Sequence, residues 1–240
     1  MKLSKEISEW IKGQVRKAHK KGIVLGLSGG IDSALTAVLS KKAMREHVIG
    51  LILPCESHPK DKELALKVAR KFNIRVKEID LKNIYKKFCE IFPDASRLAR
   101  ANLKPRLRMA ILYTFANTLD YLVAGTGNKS ELTIGYFTKY GDGGCDILPI
   151  GGLLKTDVRK MAKELCIPPE IIKRPPTAGL WEGQTDEGEI GISYKELDSC
   201  LDAFEQGRSP KIDNRNLEKI KLMIRSSKHK RNKIPTFKKK

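Results

Sequence analysis

The segment that most limits how this 240-residue chain can fold is Ile23 to Ser33, with the sequence IVLGLSGGIDS. Its first residues are apolar, uncharged and partly β-branched, which is typical of a fully buried strand in a parallel sheet. A polar turn with paired glycines follows, and the residues from Ala34 onward have the composition of a helix packed on that sheet. Glycine lets backbone N–H groups approach an oxyanion, and a helix N-terminus adds its positive dipole end. The sequence therefore predicts a phosphate-binding loop.

The spacing of this loop excludes the two commonest phosphate-binding motifs. No Gly-Lys-Ser/Thr follows the glycines, and G-x-G-x-x-G with a ribose-binding acid is also missing. The pattern S-G-G-x-D-S instead resembles the pyrophosphate loop of the ATP pyrophosphatases, enzymes that split ATP into AMP and pyrophosphate. In such a loop Ser28, Gly29, Gly30 and Ser33 would hold the β- and γ-phosphates. Asp32 is an anion beside those phosphates, so we predict that it binds an intervening Mg²⁺ ion.

The bulk properties of the chain favour one domain. A chain of 240 residues can bury a real core, and we expect a single domain over residues 1–240 with a basic tail at 228–240. No apolar run reaches membrane-spanning length and the N-terminus carries no export signal, so we expect a cytoplasmic protein. Five scattered cysteines without a C-x-x-C pair favour free thiols over disulfides or a zinc site.

The net charge of +19 raises the question of a nucleic-acid partner. Much of the excess lies in residues 211–240, and the other Lys and Arg residues alternate with acidic residues on predicted helix faces, which is typical of solvated surface. Heavy charging also occurs in proteins from thermophiles. We therefore expect a small polyanionic substrate, without specific nucleic-acid binding and without a membrane.

Strands alternate with helices along the chain, which predicts an α/β fold with a doubly wound parallel sheet and helices on both faces. Residues 74–79 alternate strictly, as in a less buried edge strand. Ligands of such sheets bind beyond the carboxyl ends of the strands, where the loop at 28–33 falls. The predicted strands are 23–27, 47–54, 74–79 and 121–124. The predicted helices are 3–20, the one from 34 onward, 59–72, 81–92, 94–100, 103–119, 157–165, 193–206 and 214–227.

Three local predictions concern segments around this sheet. Apolar residues recur every four positions from Leu3 to Val15 and predict an amphipathic first helix that buries them. Thr156 is expected to cap the helix that follows it, and Ser193 and Glu196 are expected to form a capping box at the start of the helix at 193–206. Residues 168–191 contain Pro-Pro pairs and an acidic run, and they are expected to form an irregular flap.

Several separate motifs together resemble the ammonia-dependent NAD synthetase family, within the ATP pyrophosphatase superfamily. The matching pieces are GLSGGIDS at 26–33, NLKPRLRM at 102–109, GTGNKSE at 125–131, GYFTKYGDGGCDILPI at 135–150, Lys155, RPPTAGLWEGQTDE at 174–187 and HKR at 229–231. The resemblance implies an adenine-nucleotide α-hydrolase-like fold. Two positions depart from the family pattern: Pro105 stands where alanine is expected, and Cys145 where a small or hydroxylic residue is common.

The resemblance implies a carbon–nitrogen ligase that converts deamido-NAD to NAD. A carboxylate is a poor acyl donor, because attack adds charge to an anionic group and must expel an oxide. Adenylation solves both problems: the nicotinate carboxylate would attack the α-phosphorus of ATP and release pyrophosphate. Ammonia would then attack the acyl-adenylate and expel AMP. The protein would contribute mainly positioning and charge compensation.

The resemblance also assigns site residues and an assembly. ATP contacts would be Gly26, Leu27, Ser28, Gly29, Gly30, Ile31, Asp32, Ser33, Thr126, Lys155 and Thr177. Deamido-NAD contacts would be Arg106, Lys139, Asp146, His229 and Lys230, with Asp32 and Asp146 in catalytic positions. Asp32 and Glu131 would bind Mg²⁺, and the chain would form a homodimer with shared sites. From the residues alone, a lone lysine such as Lys155 before a helix is usually solvated.

Two other functions stay open at this stage. A tRNA-modifying ATP pyrophosphatase would suit the basic charge, but it predicts a catalytic cysteine or an appended RNA-binding domain, and neither is visible in the sequence. A non-catalytic nucleotide-binding or nucleic-acid-binding module would leave Asp32 and Glu131 without a role.

Overall fold

The computed structural model describes residues 2–181 and 183–238, and its centre is a sheet of four parallel strands in the order β3-β2-β1-β4. The strands are β1 (Gly22–Gly26), β2 (Val48–Ile52), β3 (Arg75–Glu78) and β4 (Tyr121–Val123). Ile23 pairs with Val48 of β2 on one side and with Leu122 of β4 on the other. β3 pairs with β2 and is mostly exposed, which confirms the predicted edge strand.

Helices surround this sheet, and none in the described part of the chain is long and apolar enough to cross a membrane. They are α1 (Lys2–Lys17), α2 (Ile31–Met44), α3 (Pro59–Lys71), α4 (Lys82–Ile91), α5 (Arg97–Leu119), α6 (Lys129–Ile134), α7 (Lys155–Glu164), α8 (Pro169–Lys173), α9 (Asp186–Ile190), α10 (Tyr194–Glu205), α11 (Asn214–Ser226) and α12 (Lys228–Arg231). All five cysteines have free thiols, as predicted.

Successive residues of β1 enter two different cores. Ile23 and Leu25 pack into a core that also contains buried residues of α1, α2, α3 and α7. Val24 points to the opposite face and packs with buried residues of α4 and α5. Because side chains alternate across a strand, both faces of the sheet are covered by helices. The doubly wound α/β fold is confirmed.

The apolar face predicted for the first helix is only partly correct. Ile11 and Val15 are buried, but Leu3 is 46% exposed. Ser4 and Ser8 are buried instead, and the Ser8 hydroxyl donates to backbone carbonyl oxygens, including that of Leu39 in α2. The small serine side chains let α1 approach α2 closely. Because the Ser8 hydroxyl is hydrogen-bonded, burying it carries little cost.

The two helical pieces predicted at 94–100 and 103–119 are one helix of 23 residues, α5. It begins where the Ser96 side chain accepts a hydrogen bond from the Ala99 N–H group. Pro105 lies inside the helix without ending it, although proline removes one backbone donor. Ala101, Lys104 and Pro105 are all buried, so packing on this face outweighs the lost hydrogen bond. Lys104 and Arg106 therefore share one rigid element.

The prediction that Thr156 caps the next helix is wrong. Helix α7 begins one residue earlier, at Lys155, and its N-cap Leu154 offers no side-chain acceptor. The Lys155 N–H group instead donates to Ser130 Oγ at 2.9 Å, and the Thr156 N–H group donates to Asp198 Oδ2 at 2.7 Å. The caps come from α6 and α10, so no local pattern could have indicated them.

The segment predicted as an irregular flap at 168–191 contains two short helices, α8 and α9, with an irregular stretch between them. Thr185 caps α9 by accepting from the Gly188 N–H group. The capping box predicted at Ser193 and Glu196 is present and opens α10.

A third core joins the C-terminal helices to the rest of the molecule. It contains Ile134 of α6, Ile190 of α9, Leu197 of α10 and Ile220 of α11. Residues 228–231 of the predicted basic tail form α12, and residues 239–240 lie outside the described part of the chain. The single-domain assignment over 1–240 stays a prediction.

Candidate active site

The glycine loop between β1 and α2 packs its backbone closely against the neighbouring backbone of Asp61. Gly29 has a φ of +83°, and a Cβ atom there would lie 2.3 Å from the carbonyl oxygen of Asp61. Only glycine avoids both the left-handed strain and the clash. Ser28 and Ser33 brace the loop, because the Ser28 N–H group donates to Ser33 Oγ at 3.2 Å and Ser33 Oγ donates to the Gly30 carbonyl at 3.0 Å.

The N-terminus of α2 opens onto this loop without a side-chain cap. Its N-cap is Gly30, which has no side chain to accept from the first-turn N–H groups. The first N–H groups of an α-helix have no partner within the helix, and they carry the positive end of its dipole. Because α2 is 14 residues long, the loop and helix together can bind a phosphate group.

Lys155 joins two carboxylates at the carboxyl end of the sheet. Its Nζ lies 2.6 Å from Asp32 Oδ2 and 2.9 Å from Glu131 Oε1, and the residue is only 1% exposed. Asn128 Nδ2 donates to the other carboxylate oxygen of Asp32 at 2.9 Å. The structure thus brings together Asp32, Glu131 and Lys155 from three separate parts of the chain, and the expectation from residues alone that Lys155 is solvated is wrong.

Tyr194 and Asp186 extend this cluster, and the sequence did not single them out. The Tyr194 hydroxyl donates to Asp186 Oδ2 at 3.0 Å and lies 3.3 Å from Glu131 Oε1. Its ring centroid is 4.9 Å from Lys155 Nζ. Asp186 is 4% exposed, and its Oδ1 has no hydrogen-bond partner among the described residues. The signal that could have found Asp186 is its place in the motif at 174–187.

Burial sets the charge state of the cluster. Burial raises the pKa of Glu131 to about 7, although Lys155 opposes the shift. Burial likewise raises the pKa of Asp186, again against Lys155. For Lys155, burial alone would lower the pKa, but Asp32 and Glu131 outweigh it and hold the pKa above its usual range. Lys155 therefore stays charged. Any further positive charge nearby would stabilise the ionised form of the carboxyl groups beside it.

The donor set of this cluster fits a magnesium ion. Asp32 and Glu131 are oxygen donors with side chains 18% and 15% exposed, so one side of each faces open space. Mg²⁺ is commonly held by one or two carboxylates together with water and substrate phosphates. Among residues 2–181 and 183–238, no three His, Cys, Asp or Glu residues form a metal site by themselves. The remaining ligands would have to come from water or phosphate.

Two further residues assigned to ATP lie outside the helices and strands. Thr126 follows β4 in the turn that leads to Asn128, and it is half-buried. Asn128 and Glu131 form a capping box at the start of α6. Thr177 Oγ1 accepts a hydrogen bond from the Gly179 N–H group at 3.0 Å. These assignments stay predictions.

Asp146 and Arg106 do not contact the Asp32–Glu131–Lys155 cluster within the described residues. Asp146 accepts from the Tyr113 hydroxyl at 3.0 Å and from the Val123 N–H group at 2.8 Å, so it braces the outer edge of β4. Arg106 is exposed on α5 and lines a cleft of about 540 Å³ beside Phe88 and Phe92. Their roles in catalysis and substrate binding stay predictions.

The other three residues assigned to deamido-NAD lie together. Lys139 Nζ donates to the His229 carbonyl oxygen at 2.9 Å. Lys230 Nζ donates to the carbonyl oxygens of Gly135 and Phe137, both at 2.8 Å. Helix α12 is thus docked against the loop at 135–150, and its cationic side chains are held close to those of the loop.

Comparisons with known proteins match one family over almost the whole chain. The NAD synthase family model matches residues 3–234. The NH(3)-dependent NAD(+) synthetase of Carboxydothermus hydrogenoformans is 46% identical over 95% of this chain and 93% of its own, and that of Methanocaldococcus jannaschii is 47% identical over 96% and 94%.

Solved structures also match the chain over almost its whole length. The NMN synthetase of Francisella tularensis has a TM-score of 0.91 and 36% identity over 98% of this chain and 97% of its own. The NH3-dependent NAD synthetase of Campylobacter jejuni, in complex with the nitrate ion, has a TM-score of 0.86 and 31% identity over 99% and 98%. The parallel sheet, the glycine loop and the family match over almost the whole chain lead to one conclusion: this chain belongs to the NAD synthase family.

Proposed function

We propose that the chain is an ammonia-dependent NAD synthetase, which uses ATP to amidate deamido-NAD and releases AMP and pyrophosphate in the cytoplasm. The observation that carries this proposal is the cluster of Asp32, Glu131 and Lys155 at the mouth of the glycine loop. A phosphate-binding loop beside paired carboxylates suits a reaction that cleaves ATP and must compensate the charge of pyrophosphate.

The reaction would proceed through an acyl-adenylate. An oxygen of the nicotinate carboxylate attacks the α-phosphorus, a new P–O bond forms, and the bond to the pyrophosphate oxygen breaks. The nitrogen of ammonia then attacks the activated carbonyl carbon, and the C–O bond to AMP breaks. Ammonia loses a proton in this step, and the phosphate of AMP keeps the electron pair of the broken bond.

The residues of the loop and the cluster divide the work of holding ATP. Backbone N–H groups of Gly29, Gly30 and the first turn of α2 would receive the β- and γ-phosphates. Asp32 and Glu131 would hold magnesium, which would supply charge compensation for the departing pyrophosphate. With a cation held by these two carboxylates, the ammonium group of Lys155 would be free to pair with phosphate.

A dimer would complete the site for deamido-NAD. Large apolar side chains on α4 and the start of α5 are exposed, namely Ile84, Phe88, Ile91, Phe92 and Leu98. Phe88, Ile91 and Phe92 line the cleft that contains Arg106. Because Arg106 has no contact with its own chain's cluster in the described residues, we propose that it reaches the substrate of a second copy across a two-fold interface.

Isotope transfer tests the reaction. The purified chain receives Mg²⁺, ATP, ammonium and deamido-NAD labelled with ¹⁸O in the nicotinate carboxylate. The acyl-adenylate route predicts equal amounts of NAD, AMP and pyrophosphate, with one ¹⁸O atom in the phosphate of AMP. ADP with ¹⁸O in inorganic phosphate would instead indicate an acyl phosphate. A parallel reaction with glutamine should give no NAD, and efficient use of glutamine would contradict the assignment of ammonia as the direct donor.

A mononucleotide substrate is the second candidate, because the solved structure with a TM-score of 0.91 is named an NMN synthetase. The curated relatives at 46–47% identity are named NAD(+) synthetases, which favours the dinucleotide. A competition reaction that contains both deamido-NAD and deamido-NMN distinguishes the two candidate functions. The ratio of NAD to NMN formed at equal substrate concentrations gives the ratio of kcat/KM values directly.

Subunit mixing tests the shared site. Asp32→Ala and Arg106→Ala chains should each be inactive alone. In the mixed dimer one site collects both defects and the other has neither, so activity should return after subunit exchange. Exchange demonstrated by mass spectrometry without any return of activity would refute the shared site.

A further inference from the structure

Lys104 is a buried lysine to which the proposed reaction assigns no role. It lies on α5, two residues before Arg106, and is 5% exposed. Its Nζ donates to the carbonyl oxygen of Leu180 at 3.0 Å and lies 3.3 Å from Glu56 Oε2. The ring centroid of Tyr85 is 5.0 Å away. Burying an ammonium group is costly unless it is paired and hydrogen-bonded, so these three contacts are what hold Lys104 inside.

The carbonyl that Lys104 binds belongs to a segment between α8 and α9, which we call the cover segment and define as residues 174–181. Two more contacts attach it to the body of the protein. Arg174 pairs with Asp61 Oδ1 at 2.6 Å, and the Arg97 guanidinium group stacks 4.6 Å from the centroid of the Trp181 ring.

The cover segment has no strand or helix of its own. It is bonded to the chain that follows it, since the Pro176 carbonyl oxygen accepts from the Asp186 N–H group at 2.9 Å and the Leu180 N–H group donates to Gln184 Oε1 at 2.8 Å. Side chains from α3 and α5 attach it to the body of the protein.

Asp61 connects the cover segment to the phosphate loop. The carbonyl oxygen of Asp61 is the atom that excludes a side chain at Gly29, and the Asp61 carboxylate pairs with Arg174. A Cβ atom on Gly179 would be 4.0 Å from the same carboxylate. Asp61 is thus in contact with the phosphate loop on one side and with the cover segment on the other. Thr177, a predicted ATP contact, lies within this segment.

We propose that Lys104 is a positioning residue that holds the cover segment over the phosphate loop and so controls the affinity for ATP. The contact has a second consequence, because Lys104 and Arg106 lie on the same turn of α5. A shift of α5 at the substrate residue Arg106 would also move the anchor of the cover segment. Only the identity of the ligand as ATP rests on the proposed function, since the attachment itself is a property of the fold.

The chain offers a built-in reporter of this attachment. It contains two tryptophans, Trp10 and Trp181. Trp10 is 43% exposed on α1, so a Trp10→Phe background leaves Trp181 of the cover segment as the single tryptophan. Acrylamide quenching then reports how open the segment is. Amide hydrogen exchange over residues 174–181 gives the same information without relying on the indole.

In this background Lys104→Met should release the cover segment. Quenching of Trp181 should rise, and amide exchange over 174–181 should become about tenfold faster, since a hydrogen bond to a charged donor is lost. The amides of β1 should keep their protection. If the cover is in place in both the ground state and the transition state, KM for ATP should rise about tenfold while kcat changes little.

Three variants make the test decisive. Lys104→Arg keeps the charge and should retain most of the protection. Lys86→Met removes an exposed lysine of α4 and should behave as the background protein. Arg97→Ala leaves no buried charge behind, so this variant should fold and can be measured even if Lys104→Met does not fold. Quenching of Trp181 by acrylamide should also rise in it.

Equal exchange and quenching in Lys104→Met and Lys86→Met would overturn the proposal. Unchanged Trp181 quenching in a folded Arg97→Ala chain would do the same. An opened cover segment with an unchanged KM for ATP would refute the control of ATP affinity. A chain that makes no NAD would contradict the proposed function, but the exchange and quenching data of the free protein would still decide whether Lys104 holds the segment.

Discussion

Replacing Lys155 with methionine tests whether one ammonium group holds the carboxylates of the site together. Methionine keeps much of the side-chain length but removes the donor of both ion pairs, 2.6 Å to Asp32 and 2.9 Å to Glu131. Removing one partner of a buried pair costs about 3–5 kcal/mol. Because the two carboxylate side chains keep 18% and 15% exposure, we expect the lower limit, about 3 kcal/mol of unfolding free energy at about pH 8.

The loss should shrink as the pH falls, and Glu131 determines the sign. Its pKa is raised to about 7 by burial even with Lys155 beside it, so without Lys155 the pKa should be higher still. A carboxyl group with a raised folded-state pKa stabilises the fold below its unfolded pKa, and that contribution disappears as the pH rises through the folded pKa. Lys155 itself has a pKa above its usual range and does not titrate in this window. The stability of the variant should therefore fall more steeply with rising pH than that of the wild type.

Urea unfolding with EDTA at about pH 5.5 and about pH 8 measures this effect. Lys160→Met is the matched control, because Lys160 lies on the same helix with its side chain 74% exposed. A loss below about 1 kcal/mol at the higher pH would place the Lys155 pairs among ordinary surface ion pairs. A loss that is the same at both pH values would refute the role given to Glu131.

Three other predictions address the loop, the carboxylates and the charge. Asp32→Asn and Glu131→Gln should each lower the rate of NAD formation at least about 100-fold in a folded protein, and near-normal rates with an unchanged Mg²⁺ requirement would contradict the metal assignment. Gly29→Ala should weaken ATP binding in calorimetry, because its Cβ would lie 2.3 Å from the Asp61 carbonyl oxygen. An unchanged Kd for ATP would contradict the role of this loop in binding phosphate. Binding to tRNA should be weak and fall steeply with salt, and tight, salt-resistant binding would support an RNA-modifying enzyme.

The centre of the fold could be predicted from the sequence because its signals are local. The apolar run of β1, the paired glycines and the helix predicted from Ala34 onward follow one another in the sequence, although the helix begins three residues earlier, at Ile31. The alternating pattern of β3 identified an edge strand in the same way. The capping box at Ser193 and Glu196 was also correct, since both partners lie three residues apart.

The prediction failed where partners come from distant parts of the chain. Helix α7 is capped by Ser130 and Asp198, so its first residue could not be located from its own sequence. Lys155 is fully buried because carboxylates 123 and 24 residues away surround it. Tyr194 joined the cluster for the same reason, because it lies against Glu131 of a distant helix, and Asp186 follows as the acceptor of the Tyr194 hydroxyl.

The strand order explains why the site lies where it does. From β1 the chain moves through α2 to β2 and β3, and it returns with β4 to the opposite side of β1. The loops after β1 and β4 therefore leave neighbouring strands at a topological switch point, where open α/β sheets bind their ligands. Asp32 and Glu131 follow those two loops, so the strand order brings them to the same edge of the sheet. Two carboxylates that meet in a half-closed crevice need a cation, and α7 supplies one in Lys155. If phosphate groups gave Lys155 another partner, the two carboxylates would again need a cation, and this would favour a magnesium ion.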